Sequence, residues 1–289
     1  MKKKVIVGVC SLVLTIGLIA LLAFTLFSVK EVKIDYRTSR VHSTATDEEV
    51  VEAGEFDMGS SVFFINKQKY IDKIENEFPY LNVLNIETVF PSTLVVHIAE
   101  RQEVYAVEGE DGFYICDEEF KVLKFYETYE NTSENAMLLS GDFEVKNEKV
   151  GDYLDIQNPK LYQALYANNY NLAYAQEIIK SIEMTMQYDD GLKEEIEVLK
   201  LSLYGGQTVT FANYKNNLTY KTFLFTQVYS ALFDMVGKES LQADESYATL
   251  TVENLKTCEI YINNYYTKDG NLDLQSEKCY FKIFVAQGV

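Results

Sequence analysis

The stretch FPYLNVLNIETVFPSTLVVHIAER, residues 78–101, decides the fold of the first third of this chain. Apolar and polar residues alternate along it, which is typical of half-buried β-strands. The pattern predicts two strands joined by a turn at residues 91–93. On the first strand, alternation places four side chains on one face: Leu84, Ile86, Thr88 and Phe90. On the returning strand, the inward side chains are Leu94, Val96 and Ile98.

Upstream of this hairpin, the sequence predicts one strand and two helices. Residues 29–35, VKEVKID, alternate as a strand does. Thr46, followed by Glu49 three residues later, has the pattern of a capping box at a helix start. Asn66 can cap a second helix, which Pro79 ends. The predicted order is therefore strand, helix, helix, strand, strand.

An uncharged apolar run from Val5 to Phe27 precedes these elements. Its 23 residues would span about 34 Å as a helix, enough for a hydrocarbon core of about 30 Å. It is longer than the apolar region of a cleaved signal peptide, which is about 7–15 residues. Lysines occupy positions 2–4, and the positive-inside rule places such residues in the cytoplasm. We expect a single-pass anchor at residues 5–27, a cytoplasmic tail at residues 1–4, and all later residues outside the cell.

The composition is that of an acidic globular protein. The chain has 26 basic and 44 acidic residues, a formal net charge of −18, and 47% hydrophobic residues. Because phosphate contacts need Lys and Arg, this balance argues against nucleic-acid binding. The apolar content is sufficient for a packed core.

Beyond residue 101, the pattern predicts a mixed β-domain with flanking helices. Glycines at 205 and 206 fit a hairpin turn. Helices are predicted from Pro159, with Asn158 as its cap, and from Thr219 to Val236, with Gly237 as its stop. Strand-like segments are residues 103–107, 113–117, 121–123, 178–188, 198–203, 207–211, 248–252, 259–262 and 278–285.

No motif for catalysis, cofactor binding or metal binding occurs. The sequence lacks S-x-x-K, G-x-S-x-G, H-E-x-x-H and the glycine-rich phosphate loops. His42 and His97 have no cysteine at ligand spacing. Cys258 and Cys279 could form a disulfide, although their spacing does not require one. We expect no enzyme activity, cofactor or metal. A pair of carboxylates of the glycosidase kind stays open as an alternative, although chance proximity of two carboxylates is expected among 44 acidic residues.

The element order after a single apolar segment resembles the POTRA domain of the FtsQ/DivIB cell-division family. The turn MGSSVF at residues 58–63 is similar to one element of that family. The hairpin stretch matches the family's motif at Pro79, Phe90, Pro91, Leu94, Glu100 and Arg101. The resemblance implies a POTRA domain over residues 28–101, in which these side chains build the scaffold.

Residues 102–255 resemble, more loosely, the β-domain of the same family, and residues 256–289 would add further strands. Phe120 stands where the family's hairpin usually has glycine. The family's last strand is an exposed edge that binds FtsB/DivIC-type partners by strand addition. The resemblance places this edge at residues 249–254, with Leu250, Val252 and Asn254 as partner-binding residues. The alternative is an inner strand covered by residues 258–285.

The resemblance implies an α+β protein with one transmembrane helix, a POTRA domain and a mixed, mainly antiparallel β-domain. It also implies a divisome scaffold in the cell membrane at the division septum. Such a scaffold would bind FtsL- and FtsB/DivIC-type partners outside the membrane and help to coordinate septal peptidoglycan synthesis. The alternatives are an extracytoplasmic wall-active enzyme and a POTRA-type secretion or assembly factor.

Overall fold

The computed structural model describes residues 11–19, 21, 25–129, 136–141, 144–146, 149–157, 159–169, 175–189, 192–241, 247–265, 267, 273 and 278–285. The chain forms two compact units that divide after Gln102. Of the predicted anchor, Val5 lies outside the described residues, whereas Phe27 packs against the core of the first unit. Within the described ranges, no helix is long and apolar enough to cross a membrane.

The first unit has the predicted β-α-α-β-β order. Its elements are β1 (Glu31–Tyr36), α1 (Asp47–Gly54), α2 (Lys67–Glu77), β2 (Leu81–Val89) and β3 (Thr93–Glu100). The strands form a sheet in the order β1-β3-β2, in which β1 is parallel and β2 antiparallel to β3. This is the arrangement expected of a POTRA-like unit.

Both helices of this unit begin at the predicted caps. The Thr46 hydroxyl accepts from the Glu49 N–H at 3.3 Å, and the Glu49 carboxylate accepts from the Thr46 N–H at 2.8 Å. Asn66 Oδ1 accepts from the Lys69 N–H at 3.4 Å. The helices bury their apolar faces on the sheet, in one core that includes Val50, Tyr70, Ile74, Leu81, Ile86, Leu94, Val96 and Ile98. The inward face of β3 is therefore confirmed.

The predicted face of β2 is wrong at both of its ends. The register with β3 shifts between Val83 and Asn85. The extra residue, Leu84, points to solvent and is 53% exposed, whereas Ile86 is fully buried. Phe90 lies beyond the strand, in the turn, and is 59% exposed. A bulge cannot be read from alternation, because it inserts one residue without changing the local composition.

The second unit is built on a large mixed sheet. Its order in the described residues is β16-β15-β12-β11-β10-β7-β4-β5-β6. The sheet strands are β4 (Tyr105–Glu108), β5 (Phe113–Cys116), β6 (Val122–Tyr126), β7 (Met137–Gly141), β10 (Ile179–Asp189), β11 (Glu194–Leu203), β12 (Thr208–Ala212), β15 (Glu259–Asn264) and β16 (Cys279–Phe284). The pairs β4–β7, β7–β10 and β12–β15 are parallel and the others antiparallel, as expected for a mixed, mainly antiparallel sheet.

Helices and short hairpins flank this sheet. Two small ladders pair β8 (Val145–Lys146) with β9 (Asp155–Ile156) and β13 (Glu239–Leu241) with β14 (Tyr247–Thr249). The helices are α3 (Pro159–Asn169), α4 (Ala175–Ile178) and α5 (Leu218–Ala231), and 3₁₀ turns follow at Leu232–Met235 and Asn254–Thr257. The predicted cap Asn158 lies outside the described residues.

The last two strands complete the large sheet. β15 runs parallel to β12, and β16 is antiparallel beside β15. The boundary expected after residue 255 therefore falls inside the second unit. β15 and β16 extend the sheet past the point where the resemblance ends.

Phe120 adopts the backbone conformation that usually requires glycine. Its φ is +67°, a region that costs a residue with a side chain about 1–2 kcal/mol. The side chain is nevertheless buried, and its ring stacks on Tyr105 with centroids 4.7 Å apart. Burying a phenylalanine contributes about 3–5 kcal/mol relative to alanine, so ring packing outweighs the backbone strain. A turn precedes Phe120, in which the Phe120 N–H donates to the Asp117 carbonyl at 3.2 Å.

Candidate partner-binding groove

The outer side of β16 has no paired strand within the described part of the chain. The direction of its backbone groups follows from the ladder. The Thr208 N–H donates to the Cys258 carbonyl at 3.1 Å. Because β12 and β15 are parallel and backbone groups alternate along a strand, the N–H and C=O groups of Ile260 and Ile262 also point toward β12. The alternate residue Tyr261 must therefore direct its backbone groups toward β16.

The same alternation identifies the backbone N–H and C=O groups of β16 that point away from β15. Tyr261 lies opposite Lys282 in the antiparallel register, so the N–H and C=O of Lys282 point into the ladder. The neighbouring residues, Phe281 and Ile283, must then direct their N–H and C=O groups away from β15. Such a row of outward backbone groups is a template for pairing with another strand.

A groove of about 440 Å³ lies beside this edge. It is lined by Met235, Lys238, Glu239, Ser240, Leu241, Tyr247, Leu250, Phe281, Lys282 and Ile283. The β13–β14 hairpin thus contributes one part of the lining and β16 another. Tyr247 and Phe281 are 71% and 39% exposed, so the groove offers aromatic surface next to the unpaired edge.

Leu250 is the one of the three predicted partner-binding residues that lines this groove. The strand predicted over residues 248–252 is wrong beyond Thr249, where β14 ends. The Leu250 N–H donates to the Lys238 carbonyl at 2.9 Å, and its own carbonyl accepts from the Gly237 N–H at 2.7 Å. Because these backbone groups are already paired and the side chain is buried, Leu250 supports the groove and offers no free edge.

Val252 and Asn254 lie outside the groove lining. Val252 is in a turn and 67% exposed. Asn254 begins a 3₁₀ turn, and its Oδ1 accepts from the Thr251 N–H at 2.6 Å. The segment expected to be the edge is thus a capped turn. The alternation at residues 278–285 predicts the strand that the structure places at this end of the sheet, but it does not identify the neighbours of that strand.

The motif residues Glu100 and Arg101 contact other parts of the first unit. The Glu100 carboxylate accepts from the N–H groups of His42 and Ser43 at 2.8 and 2.6 Å. Arg101 Nη2 lies 3.1 Å from Glu75 Oε2. The carboxylate therefore holds the loop after β1, and the guanidinium holds α2.

A second groove, of about 450 Å³, brings together two carboxylates, the feature that an enzyme would need. It is lined by Glu144, Lys146, Asp155 and Gln157. Lys146 Nζ lies 3.0 Å from the Glu144 carboxylate, and this partner raises the pKa of the lysine. Both side chains of the ion pair are mostly exposed, whereas a carboxyl that acts as a general acid is typically buried.

The structure also shows the surroundings of His97 and of the cysteines Cys258 and Cys279. His97 Nδ1 lies 2.8 Å from Asp35 Oδ2, and its Nε2 lies 3.2 Å from Glu87. The residues with described positions contain no group of three or more potential metal ligands. Cys258 and Cys279 are buried free thiols, so the disulfide considered above is not present.

Comparisons with known proteins confirm the resemblance. Residues 27–101 match the family model described as POTRA domain, FtsQ-type. The chain is similar to cell division protein DivIB of Clostridium acetobutylicum, 25% identical over 112 residues, which cover 39% of this chain and 43% of that protein. DivIB of Clostridium tetani is 26% identical over 121 residues, 41% of this chain and 43% of that protein. The chain thus covers less than half the length of each relative. It contains an FtsQ-type POTRA domain and is a distant homologue of cell division protein DivIB.

Proposed function

We propose that this chain is a cell-division scaffold at the septum, anchored in the cell membrane by residues 5–27. Its two units would bind FtsL- and FtsB/DivIC-type proteins outside the membrane and so help to coordinate septal peptidoglycan synthesis. Distant homology to DivIB supports the division role. The uncharged run after three lysines supports the anchor and its orientation.

The observation that carries the binding role is the unpaired side of β16 next to an aromatic-lined groove. A partner strand can pair with the outward backbone groups of Phe281 and Ile283, while alternate side chains enter the groove. The charged residues that line this groove are two lysines, Lys238 and Lys282, and one glutamate, Glu239, in a chain of net charge −18. The lysines favour a partner strand that carries a carboxylate on the side facing them.

We expect Phe281→Pro to weaken binding of the DivIC-type partner at least tenfold relative to Phe281→Thr, a loss of about 1.4 kcal/mol. Proline removes an N–H that points away from β15, so the internal ladder is kept, whereas threonine removes the ring alone. Affinity is measured with the purified extracytoplasmic part of the partner and the full chain in detergent.

Val252→Pro is the matched control, because Val252 is exposed and lies outside the groove. We expect this variant to bind as the unmodified chain does. Weaker binding of Val252→Pro with unchanged binding of Phe281→Pro would return the contact to residues 249–254. Equal affinities for Phe281→Pro and Phe281→Thr would contradict strand addition at β16.

The division role predicts a position in the cell. We expect a chain with a fluorescent protein on its N-terminus to form a band at midcell that appears with constriction. The measurement is time-lapse microscopy of dividing cells of the source organism. Uniform labelling of the periphery throughout the cell cycle would contradict the proposal.

A further inference from the structure

We propose that an aromatic cluster of Phe27, Phe63 and Phe90, together with the exposed Phe64 that follows Phe63, lies in the interfacial layer of the lipid bilayer and seats the first unit on the membrane. This inference rests on the proposed anchor at residues 5–27. It goes beyond the anchor because it assigns a lipid-binding surface to the folded unit itself.

The strand register brings three chain segments to one end of the first unit. Glu31 at the start of β1 and Val89 at the end of β2 both pair with Thr93 at the start of β3. Phe90 follows β2 directly and therefore lies in the turn at this end. The apolar run also enters the unit here, since it ends four residues before β1.

Backbone hydrogen bonds fasten the loop between α1 and α2 to the same end. The Val62 N–H donates to the Phe27 carbonyl at 2.9 Å, and the Gly59 N–H donates to the Val29 carbonyl at 2.8 Å. Phe63 and Phe64 follow this attachment directly. Two separate loops thus present phenylalanines beside the point where the apolar run ends.

The rings of Phe27, Phe63 and Phe90 form a contiguous surface, and Phe64 is next to Phe63 in the chain. Their centroids are 5.4 Å apart for Phe27 and Phe63, 5.6 Å for Phe63 and Phe90, and 6.1 Å for Phe27 and Phe90. The exposed fractions are 54% for Phe63, 59% for Phe90 and 86% for Phe64. This much aromatic surface on adjacent loops marks an interaction site.

The chain order identifies the bilayer as the occupant. Phe27 is the last residue of the apolar run, so a helix that crosses the membrane must leave it within ring contact of Phe63 and Phe90. Phenylalanine on the apolar face of an interfacial segment is buried at the boundary between headgroups and acyl chains. The loops at this end, residues 58–66 and 88–94, contain no charged residue, although 24% of the chain is charged. The loop at the opposite end, residues 37–46, contains Arg37 and Arg40, and α1 follows it with three acidic residues in its first turn.

The absence of tryptophan from this chain makes a direct test available. Phe64→Trp gives a single tryptophan, which can be excited selectively in the presence of the 22 tyrosines. Its emission is read in the full chain reconstituted into phosphatidylcholine–phosphatidylglycerol vesicles with or without brominated acyl chains. We expect brominated lipid to quench its emission at least twofold, and the emission to be blue-shifted. The matched control is Val41→Trp, at a 78%-exposed position in the loop at the opposite end, which should not be quenched.

Flotation of the same samples separates this inference from the anchor on which it rests. If the chain floats with the vesicles and only Phe64→Trp is quenched, the contact of the aromatic cluster with the bilayer is supported. If the chain floats and neither variant is quenched, that contact is overturned, but the anchor at residues 5–27 is not. If the chain does not float, both proposals are overturned. If Phe64→Trp does not fold, Phe90→Trp tests the same surface from the other loop, with the same expected result.

Discussion

Replacing Arg101 with methionine is expected to lower the free energy of unfolding of the first unit by about 3–5 kcal/mol. The guanidinium and the Glu75 carboxylate are 3.1 Å apart, and their side chains are only 5% and 12% exposed. An exposed ion pair contributes about 0–1 kcal/mol. Here, removing one partner leaves a carboxylate buried without this guanidinium, and most of the expected cost arises from that desolvated charge.

The position of the pair in the fold adds to this expectation. The Glu75 carboxylate also accepts from the Val83 N–H at 2.8 Å, next to the bulge of β2. Arg101 follows β3 and donates its N–H to the Tyr80 carbonyl at 2.8 Å. The pair therefore joins α2, the start of β2 and the end of β3, so its loss should destabilise all three elements.

A double-mutant cycle of Arg101→Met and Glu75→Gln tests this account. Stability is read from hydrogen exchange of the β3 amides, which reports on the first unit separately. We expect the double variant to be more stable than the sum of the single effects predicts, by about 1–3 kcal/mol. Arg37→Met is the control, because Arg37 pairs with Asp35 at 2.9 Å on the surface, with side chains 54% and 42% exposed. If Arg101→Met lowers the free energy of unfolding no more than Arg37→Met does, the buried pair does not stabilise the unit as proposed.

The elements of the first unit could be predicted because their signals are local. The capping box of Thr46 and Glu49 lies within four residues, and Pro79 ends α2 by its own covalent geometry. The bulge at Leu84 could not be predicted in this way. It is set by pairing between β2 and β3, and the sequence of β2 alone fits an unbroken alternation equally well.

The resemblance predicts an edge at residues 249–254, whereas the sheet ends at β16, because the neighbours of a strand depend on distant contacts. β15 pairs with β12 across the whole of α5 and the β13–β14 hairpin, so nothing near residues 259–264 indicates that they extend the sheet. Alternation predicts only a strand around Leu250, and the backbone groups of Leu250 pair with the turn at residues 237–238. Phe120 illustrates the same limit, because its strained φ is tolerated through stacking on Tyr105.

Lys221→Met is expected to destabilise the second unit by about 3 kcal/mol near pH 7. Lys221 is fully buried, and its Nζ lies 2.7 Å from each of three acceptors, the carbonyls of Ala212 and Asn213 and the Oδ1 of Asn264. A buried acceptor that loses its donor costs about 1–3 kcal/mol. Removing a buried charge is itself favourable, so it offsets part of the cost of the three unpaired acceptors. The ammonium ties α5 to the ends of β12 and β15, so methionine of similar length cannot replace it.

The pH dependence of this effect has a definite sign. Burial lowers the pKa of Lys221 to about 8, and the nearby Cys279 thiol opposes that shift. In the unfolded chain, a lysine titrates near 10.4. Between about pH 8 and 10.4, the unfolded state binds more protons, so the stability contributed by Lys221 increases with pH in this window. Below pH 8, both states are protonated, and the contribution stays at its lowest value.

We therefore expect the gap in unfolding free energy between the unmodified chain and Lys221→Met to widen by about 1 kcal/mol from pH 7 to pH 9. Urea unfolding followed by circular dichroism measures the gap, with Lys215→Met as the exposed control, whose gap should not change. Burial also raises the pKa of Tyr214 to about 12 and that of Cys258 to about 11, but both residues are present in every protein compared. A constant or narrowing gap would mean that the three acceptors hold Lys221 protonated in the folded state, against the desolvation that burial imposes.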